Sequence, residues 1–580
     1  MDKRLKMLLL AVLVVLCIHG QAGAEPLQDV QLSVDGKKTT FSNGLMTVAF
    51  DENAVVTSWV KNGTEFIKNL PQGKQPVYLD HFINGSNENI SVTDLKVITN
   101  TAEEAHVAYI DNKSILYVEY HIIMKKGESG LYFYVVAKNN SGKEYTLSSL
   151  RTVYRLDYGI FDNAYNSERR GKQPTHAYMD LGKKLQDETY ELPDGEKYTN
   201  GPVYSKYDYS GYFKDNPVWG QYGHGFGFWC IPVSTEYFPS GPMKQELLVH
   251  YDAITLNCFL AAHYGTGDYK VPVNWEKLYG PWLMYVNTGT DDAVIADATR
   301  KALNEQKKWP YTWVHDPLYP VERATVTGQL KVTKNRSGDG AMVVLADAGG
   351  ELMRLLGGYM FYAQTDKNGK FKLNNVRPGT YTLYAYATKG DITNQLSKDN
   401  VVIGKGNVNL GEVVWDPPYH KNKLWQIGIA DRSAAEFKYG SELRNYKWHK
   451  MVPATLDYVV GQSKDSDWYY AQTQDGEWNI KFNLQDVAQN YYLTVALAGF
   501  SRNVGVKSGG DLTIKVNGKT VKAVSYPSDT TIYRSGMKSG WNHLVVMEVS
   551  PEMMHIGENK VTLSTHGASA MYDTILLESD

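Results

Sequence analysis

Short runs in which apolar and polar residues alternate follow one another along most of this chain. From Gln31 to about Tyr154 they include LMTVAFD, VVTSWVKNG, AHVAYID and LYVEYHIIMKKGESGLYFYVVAKN, separated by Asn62-Gly63, Asn84-Gly85 and Gly127-Glu128-Ser129-Gly130. A period of two broken by turn residues predicts antiparallel strands, and the two-sided alternation of the early runs predicts one layer of a large sandwich. Between Arg151 and Lys206 the pattern loosens, which predicts a long irregular connection of the kind that often carries function. Strands return at GFGFWCIPV, QELLVHY and ITLNCFLAAHY, and WEKLYGPWLMYVNTG closes the region. One clear helix comes next, DDAVIADATRKALNEQKKW, with Asp291 and Asp292 near its start and Lys307 and Lys308 near its end, as the helix dipole favours.

Two breaks divide the rest of the chain. After Trp309-Pro310, the runs RATVTGQLKV, AMVVLAD and TDKNGKFKLNNVRPGTYTLYAYATKGD predict a small β-sandwich of the fibronectin III-like or regulatory-like kind, expected to act as a spacer. After Asp416-Pro417-Pro418, evenly spaced strands with Asn-Gly turns predict a jelly roll like that of many carbohydrate-binding modules. The expected organisation is all-β: a large sandwich over 25–316, a small one over 317–415 and a jelly roll over 416–580.

At 580 residues the chain is too long for a single core, and its net charge of −3 offers no field to draw nucleic acid or an anionic membrane. Lys3, Arg4 and Lys6, then LLLAVLVVLCI, then Ala22-Gly23-Ala24 read as a cleavable export signal over 1–24, so the mature protein is expected to be secreted or periplasmic. The apolar run is too short to span a membrane comfortably, and no other segment comes near that length. Beyond the leader only Cys230 and Cys258 remain, as a pair or as buried thiols, and no metal-ligand spacing of cysteine and histidine appears. A structural Ca²⁺ in an Asp/Asn-rich loop stays open. The 42 tyrosines and 13 tryptophans fit either a Tyr-rich sandwich core or a groove on which sugar rings stack.

Candidate chemistry concentrates between Pro202 and Asn287, where lysines and histidines stand singly among aromatic residues. Charged groups in such settings are costly to desolvate and are usually paired or used. Lys206 and His263 are the leading base and acid. Lys206 could equally pair with Asp208, His263 could be a core histidine, and His224 and His250 are comparable by spacing. Tyr207, Tyr264, Trp219 and Trp282 are groove-lining candidates, though each could as easily be core. Arg151 and Arg155, in SLRTVYRLDY, are expected to meet an anion, either Asp157 or a substrate carboxylate. Arg169 and Arg170 read as solvated surface. A glycoside hydrolase would need two carboxylates, for which Glu236 and Glu246 are the candidates, and a non-catalytic glycan-binding protein is the reading of a different class.

Three motifs in order resemble polysaccharide lyase family 4, the rhamnogalacturonan endolyases. They are Lys206-Tyr-Asp-Tyr-Ser with the following Lys-Asp-Asn, then Gly241-Pro-Met-Lys-Gln-Glu leading to Ala-His263-Tyr264-Gly and Tyr279-Gly-Pro-Trp-Leu-Met-Tyr-Val-Asn, and finally Leu424-Trp-Gln-Ile-Gly-Ile-Ala-Asp-Arg-Ser-Ala-Ala-Glu-Phe. The resemblance spans the mature chain, departing from the family's pattern between Arg155 and Lys206. It implies β-elimination on the rhamnogalacturonan I backbone of pectin, with Lys206 as base, His263 as acid, Arg151 or Arg155 on the uronate carboxylate and no cofactor. The expected enzyme is a monomer.

Overall fold

The computed structural model describes residues 27–193, 198, 201–261, 263–264, 267–443, 448–502, 510–527, 529–534 and 538–580. The leader expected over 1–24 lies outside them. The described chain is overwhelmingly β, and the expected helix Asp291–Lys308 is its one long helix. No described helix is long and apolar enough to cross a membrane.

The first part of the chain builds a nine-stranded and a six-stranded sheet, with a five-stranded sheet from Gln31–Asp35 to Thr64–Glu65 beside them. Their shared core holds Trp59, Tyr109, Phe133, Tyr154, Trp219, Phe228 and Trp282, all fully buried. Strands such as Gly130–Asn139 and Ile254–Ala261 are buried at almost every position. Their outer faces are covered too, which is why the sequence there runs apolar instead of alternating. On the nine-stranded sheet the cover is Asp291–Lys308, whose Val294, Ala298 and Ala302 pack with Trp229, Leu283 and Tyr311. The connection after Arg155 proves more regular than the pattern suggests. Asn163–Asn166 and Arg169–Lys172 form the edge of the nine-stranded sheet, and Lys183–Gln186, Thr189–Glu191 and Val203–Ser205 make a small sheet of their own.

A three-stranded and a four-stranded sheet follow between Ala324 and Trp415, closing over Val326, Val343, Phe371 and Leu383. Two five-stranded sheets occupy the rest, around Trp468, Trp478, Leu493 and Tyr572. The middle unit is more than a spacer. Its Arg323 and Arg377 clamp the buried carboxylate of Glu236, at 2.7 Å from Arg377 Nη2. An apolar seam of Met243, Met342, Met360 and Tyr386, with Trp541 against it, joins all three parts. The last unit also reaches the first through polar bonds: Gln186 Nε2 donates to Tyr533 O at 2.5 Å, and Gln245 Nε2 donates to Ser539 O.

Candidate active site

The cleft forms where the six-stranded sheet meets the small sheet and the last unit. Its centre is Arg151, on the long strand Tyr145–Arg155. Pairing of that strand with Ile254–Ala261 slips between Leu150 and Arg151. An irregularity of this kind re-aims the side chain that follows it. Arg151 lines two adjoining cavities. One, of about 720 Å³, also carries Arg155, Lys206, Glu188, His250 and Tyr251. The other, of about 390 Å³, carries His263, Arg534, Phe82 and Asn87. Arg151 is held rigid by Asp80, which accepts from Nε at 2.9 Å and from Nη2 at 3.0 Å. A bidentate pair of this geometry fixes the guanidinium plane and leaves one terminal nitrogen for a further anion.

Lys206 opens a single turn of 3₁₀ helix, Lys206–Tyr209, capped reciprocally by Ser205 and Asp208. Asp208 is therefore not the lysine's partner: it accepts from Ser205 N at 3.1 Å and lies 3.7 Å from Arg169. Among the described residues no hydrogen bond or ion pair holds Lys206 Nζ. Burial lowers the lysine's pKa below its ordinary value, the Arg151 and Arg534 charges push the same way, and Glu188 and Asp187 resist.

His263 follows the end of Ile254–Ala261 and turns its Nδ1 to the Glu246 carboxylate. Glu246 lies on Gln245–Leu247, which pairs with Ser210–Tyr212, the strand directly after the Lys206 turn. The two candidate residues are thus tied to one short ribbon. Burial depresses the His263 pKa, Lys206 and Arg534 add to the effect, and Glu246 opposes it. Arg534, from the last unit, donates to His263 O at 3.1 Å and to Asp187 Oδ2 at 3.2 Å, with its guanidinium over the Tyr207 ring. Thr530 Oγ1 donates to the same carbonyl at 3.0 Å.

Several expectations need correction. Trp219 is fully buried, donating its indole N–H to Leu256 O at 2.8 Å, and Trp282 is buried likewise with its N–H on Tyr154. Neither lines the groove, because both strand faces are covered. Tyr207 and Tyr264 adjoin His263 but are only 2% and 1% exposed. Their hydroxyls bond Asp187 and Ser210, so they brace the histidine and offer no open ring face. Arg155 donates to Gln75 O, and Asp157 instead accepts from Asn69 and Gly159. Arg169 is buried near Asp208 and Tyr209, while Arg170 alone is surface, against Asp292. His224 stands exposed at a turn, whereas His250 lies in the cleft wall, its pKa driven far down by burial and by Lys206, Arg155 and Arg151. Cys230 and Cys258 are unpaired buried thiols.

Neither carboxylate proposed for a hydrolase is available. Glu236 is locked between two arginines, and Glu246 is carried down to about 2 because His263 and Lys244 outweigh the cost of burial. A glycosidase acid requires the opposite shift. Glu246, Cys258 and His263 bring ligand-type atoms within 4.8 Å of one another, alone among the described residues. They do not suit a metal ion. Lys244 Nζ, fully buried, already holds Glu246 Oε2 at 2.9 Å, and burial drives the Cys258 thiol away from the thiolate a cation needs.

The sequence itself supplies the relationship. The profile of "Polysaccharide lyase family 4, domain III" matches residues 423–577, and that of domain II matches 335–409. A rhamnogalacturonate lyase from Dickeya dadantii is 40% identical over 558 residues, 94% of both chains. Rhamnogalacturonate lyase B from Emericella nidulans is 23% identical over 65% of each chain, and a probable rhamnogalacturonate lyase B from Neosartorya fischeri is 23% identical over 76% of each. With near-complete coverage at that level of identity, this chain belongs to the rhamnogalacturonate lyases of polysaccharide lyase family 4.

Proposed function

We propose that the protein is an exported, monomeric lyase that cleaves the rhamnose-(1→4)-galacturonate bond of rhamnogalacturonan I by β-elimination at the Arg151 cleft. The observation that carries this reading is the meeting, around one fixed guanidinium, of a lysine with no hydrogen bond or ion pair among the described residues and a carboxylate-held histidine. Arg151 receives the uronate carboxylate, which stabilises the negative charge that builds as C5 loses its proton. Neutral Lys206 takes that proton. The C5–H electrons become the C4–C5 double bond, the C4–O4 bond breaks, and the departing oxygen, now the anomeric hydroxyl of rhamnose, takes a proton from His263. The enzyme is left with a protonated lysine and a neutral histidine, which solvent resets.

Electrostatics favours this division of labour. An unperturbed lysine, with a pKa of about 10.4, is almost wholly protonated near neutrality, so the downward push from burial, Arg151 and Arg534 makes the base available. Amine, imidazole and guanidinium suffice for every step, and the scheme calls on no cofactor. The units 25–316, 317–415 and 416–580 then act as catalytic sandwich, fibronectin III-like brace and carbohydrate-binding-module-like jelly roll.

The test is the ultraviolet absorbance of the conjugated enoate formed at the new non-reducing end. A rise on rhamnogalacturonan I and none on homogalacturonan, lost in Lys206→Ala, is expected. Reducing ends released without absorbance would overturn the elimination.

A further inference from the structure

We propose that Glu246 is a positioning residue for His263, held in place by Lys244, so that three side chains run from the protein interior to the cleft and fix which nitrogen of the histidine faces the leaving oxygen. The inference rests on the reading of Lys206 as base and His263 as acid.

The geometry is specific. Glu246 and Lys244 are both fully buried, while the His263 side chain keeps 16% of its exposure. Glu246 Oε1 accepts from Leu247 N at 2.8 Å and from His263 Nδ1, and Oε2 accepts from Lys244 Nζ at 2.9 Å. Lys244 Nζ also donates to Ala261 O at 2.8 Å, the last residue of the strand that leads into His263. The frame thus grips the histidine twice, once through its ring and once through the strand that delivers it. A carboxylate on Nδ1 requires the hydrogen there. Nε2 is then the nitrogen turned away from Glu246, on a histidine that lines one cavity with Arg151 and Arg534.

The frame also answers a charge problem. To act as an acid His263 must hold a proton while mostly buried and under the unfavourable charges of Lys206 and Arg534, the latter on its carbonyl, with Arg151 lining the same cavity. Glu246 is the anion that favours the imidazolium. Lys244 in turn keeps Glu246 ionised, so the Nδ1 proton stays on the ring. A carboxylate needed only for stability would be satisfied by Lys244 alone. Running the chain on to a partly exposed histidine makes sense for a group that must present a proton.

The test compares wild type, Glu246→Gln, His263→Ala and Lys206→Ala on rhamnogalacturonan I and on a galacturonide whose C4 carries an aryloxide, a leaving group that needs no acid. Glu246→Gln should lower kcat on the polysaccharide about 100-fold with KM nearly unchanged. It should move the alkaline limb of the pH profile to lower pH, and regain nearly all its rate on the aryloxide substrate. If Glu246→Gln alone folds poorly because Lys244 is stranded, the Lys244→Met/Glu246→Gln variant removes both buried charges and carries the same kinetic expectation. An unchanged kcat and alkaline limb, or an equal loss on both substrates, overturns the proposal. Lys206→Ala separates the two levels: full activity there sinks the underlying mechanism, whereas a dead Lys206→Ala beside a normal Glu246→Gln sinks only the role of Glu246.

Discussion

Replacing Arg534 by methionine keeps an unbranched apolar stem and removes the charge. Three interactions go with it: the bond to His263 O at 3.1 Å, the pair with Asp187 at 3.2 and 3.3 Å, and the contact with the Tyr207 ring. Asp187 keeps 35% of its side-chain exposure, so solvent screens that pair to well under about 1 kcal/mol. A charged donor on a partly buried carbonyl is worth about 1.5 kcal/mol or more, and it is one of the two bonds, with that of Thr530, that hold the histidine's backbone. Loss of that much alignment lowers kcat about 10-fold. The pH profile reports separately, because Arg534 depresses both Lys206 and His263. Without it both groups hold protons to higher pH. With Lys206 as the proposed base and His263 as the proposed acid, the acid limb, set by a base that must be neutral, moves up, and so does the alkaline limb, set by an acid that must be charged. The assay is enoate formation across pH, with thermal midpoints as a check on folding. A kcat within twofold of wild type, or a fall in rate with both limbs unmoved, refutes the reasoning.

Glu236→Ala strands Arg323 and Arg377 in the interface between the first two units, and breaking a buried pair in this way costs about 3–5 kcal/mol; an unchanged urea midpoint would argue against it. Trp219→Phe should leave kcat/KM of the folded enzyme intact while lowering the unfolding midpoint, since the indole is core and bonded to Leu256 O; a large rise in KM would restore it to the groove. His106, buried against His121 at 3.0 Å, falls to about 3 through burial and neighbouring cations. The unfolded chain binds a proton there below about 6.5 that the folded chain refuses. Stability is therefore undiminished above that pH and drains away as pH falls towards 3, and His106→Phe should flatten this acid loss in urea titrations.

Much of the fold was legible because its signals are local. A period of two marks strands wherever one face is wet, and the dipole-matched ends of Asp291–Lys308 mark the helix. Lys206 and His263 stood out as charges among aromatics. What failed was whatever depended on distant partners or on covered faces. Asp80, which fixes Arg151, lies 71 positions earlier. Arg534 comes 271 positions after His263, in TIYRSGMKSG, with nothing local to single it out. Trp219 looked like a groove residue because sequence alone does not say which strand faces are open, and its strand Trp219–Gly223 is buried at every position. Glu246 was visible as a carboxylate, yet its partners Lys244 and His263 come together only through the ribbon and the strand end. The middle unit passed for a spacer because Arg377 finds Glu236 across 141 positions.

Arg534 also gives the cleft a history. A polypeptide made from its N-terminus has Arg151, Lys206, Glu246 and His263 before it has any of the last unit. Only when the strands on either side of Thr530 and Arg534 have formed does His263 O gain its two donors. Completion of the cleft therefore waits on the folding of the last unit, and a chain cut short after Trp415 would hold every proposed proton-transfer group and still lack one wall.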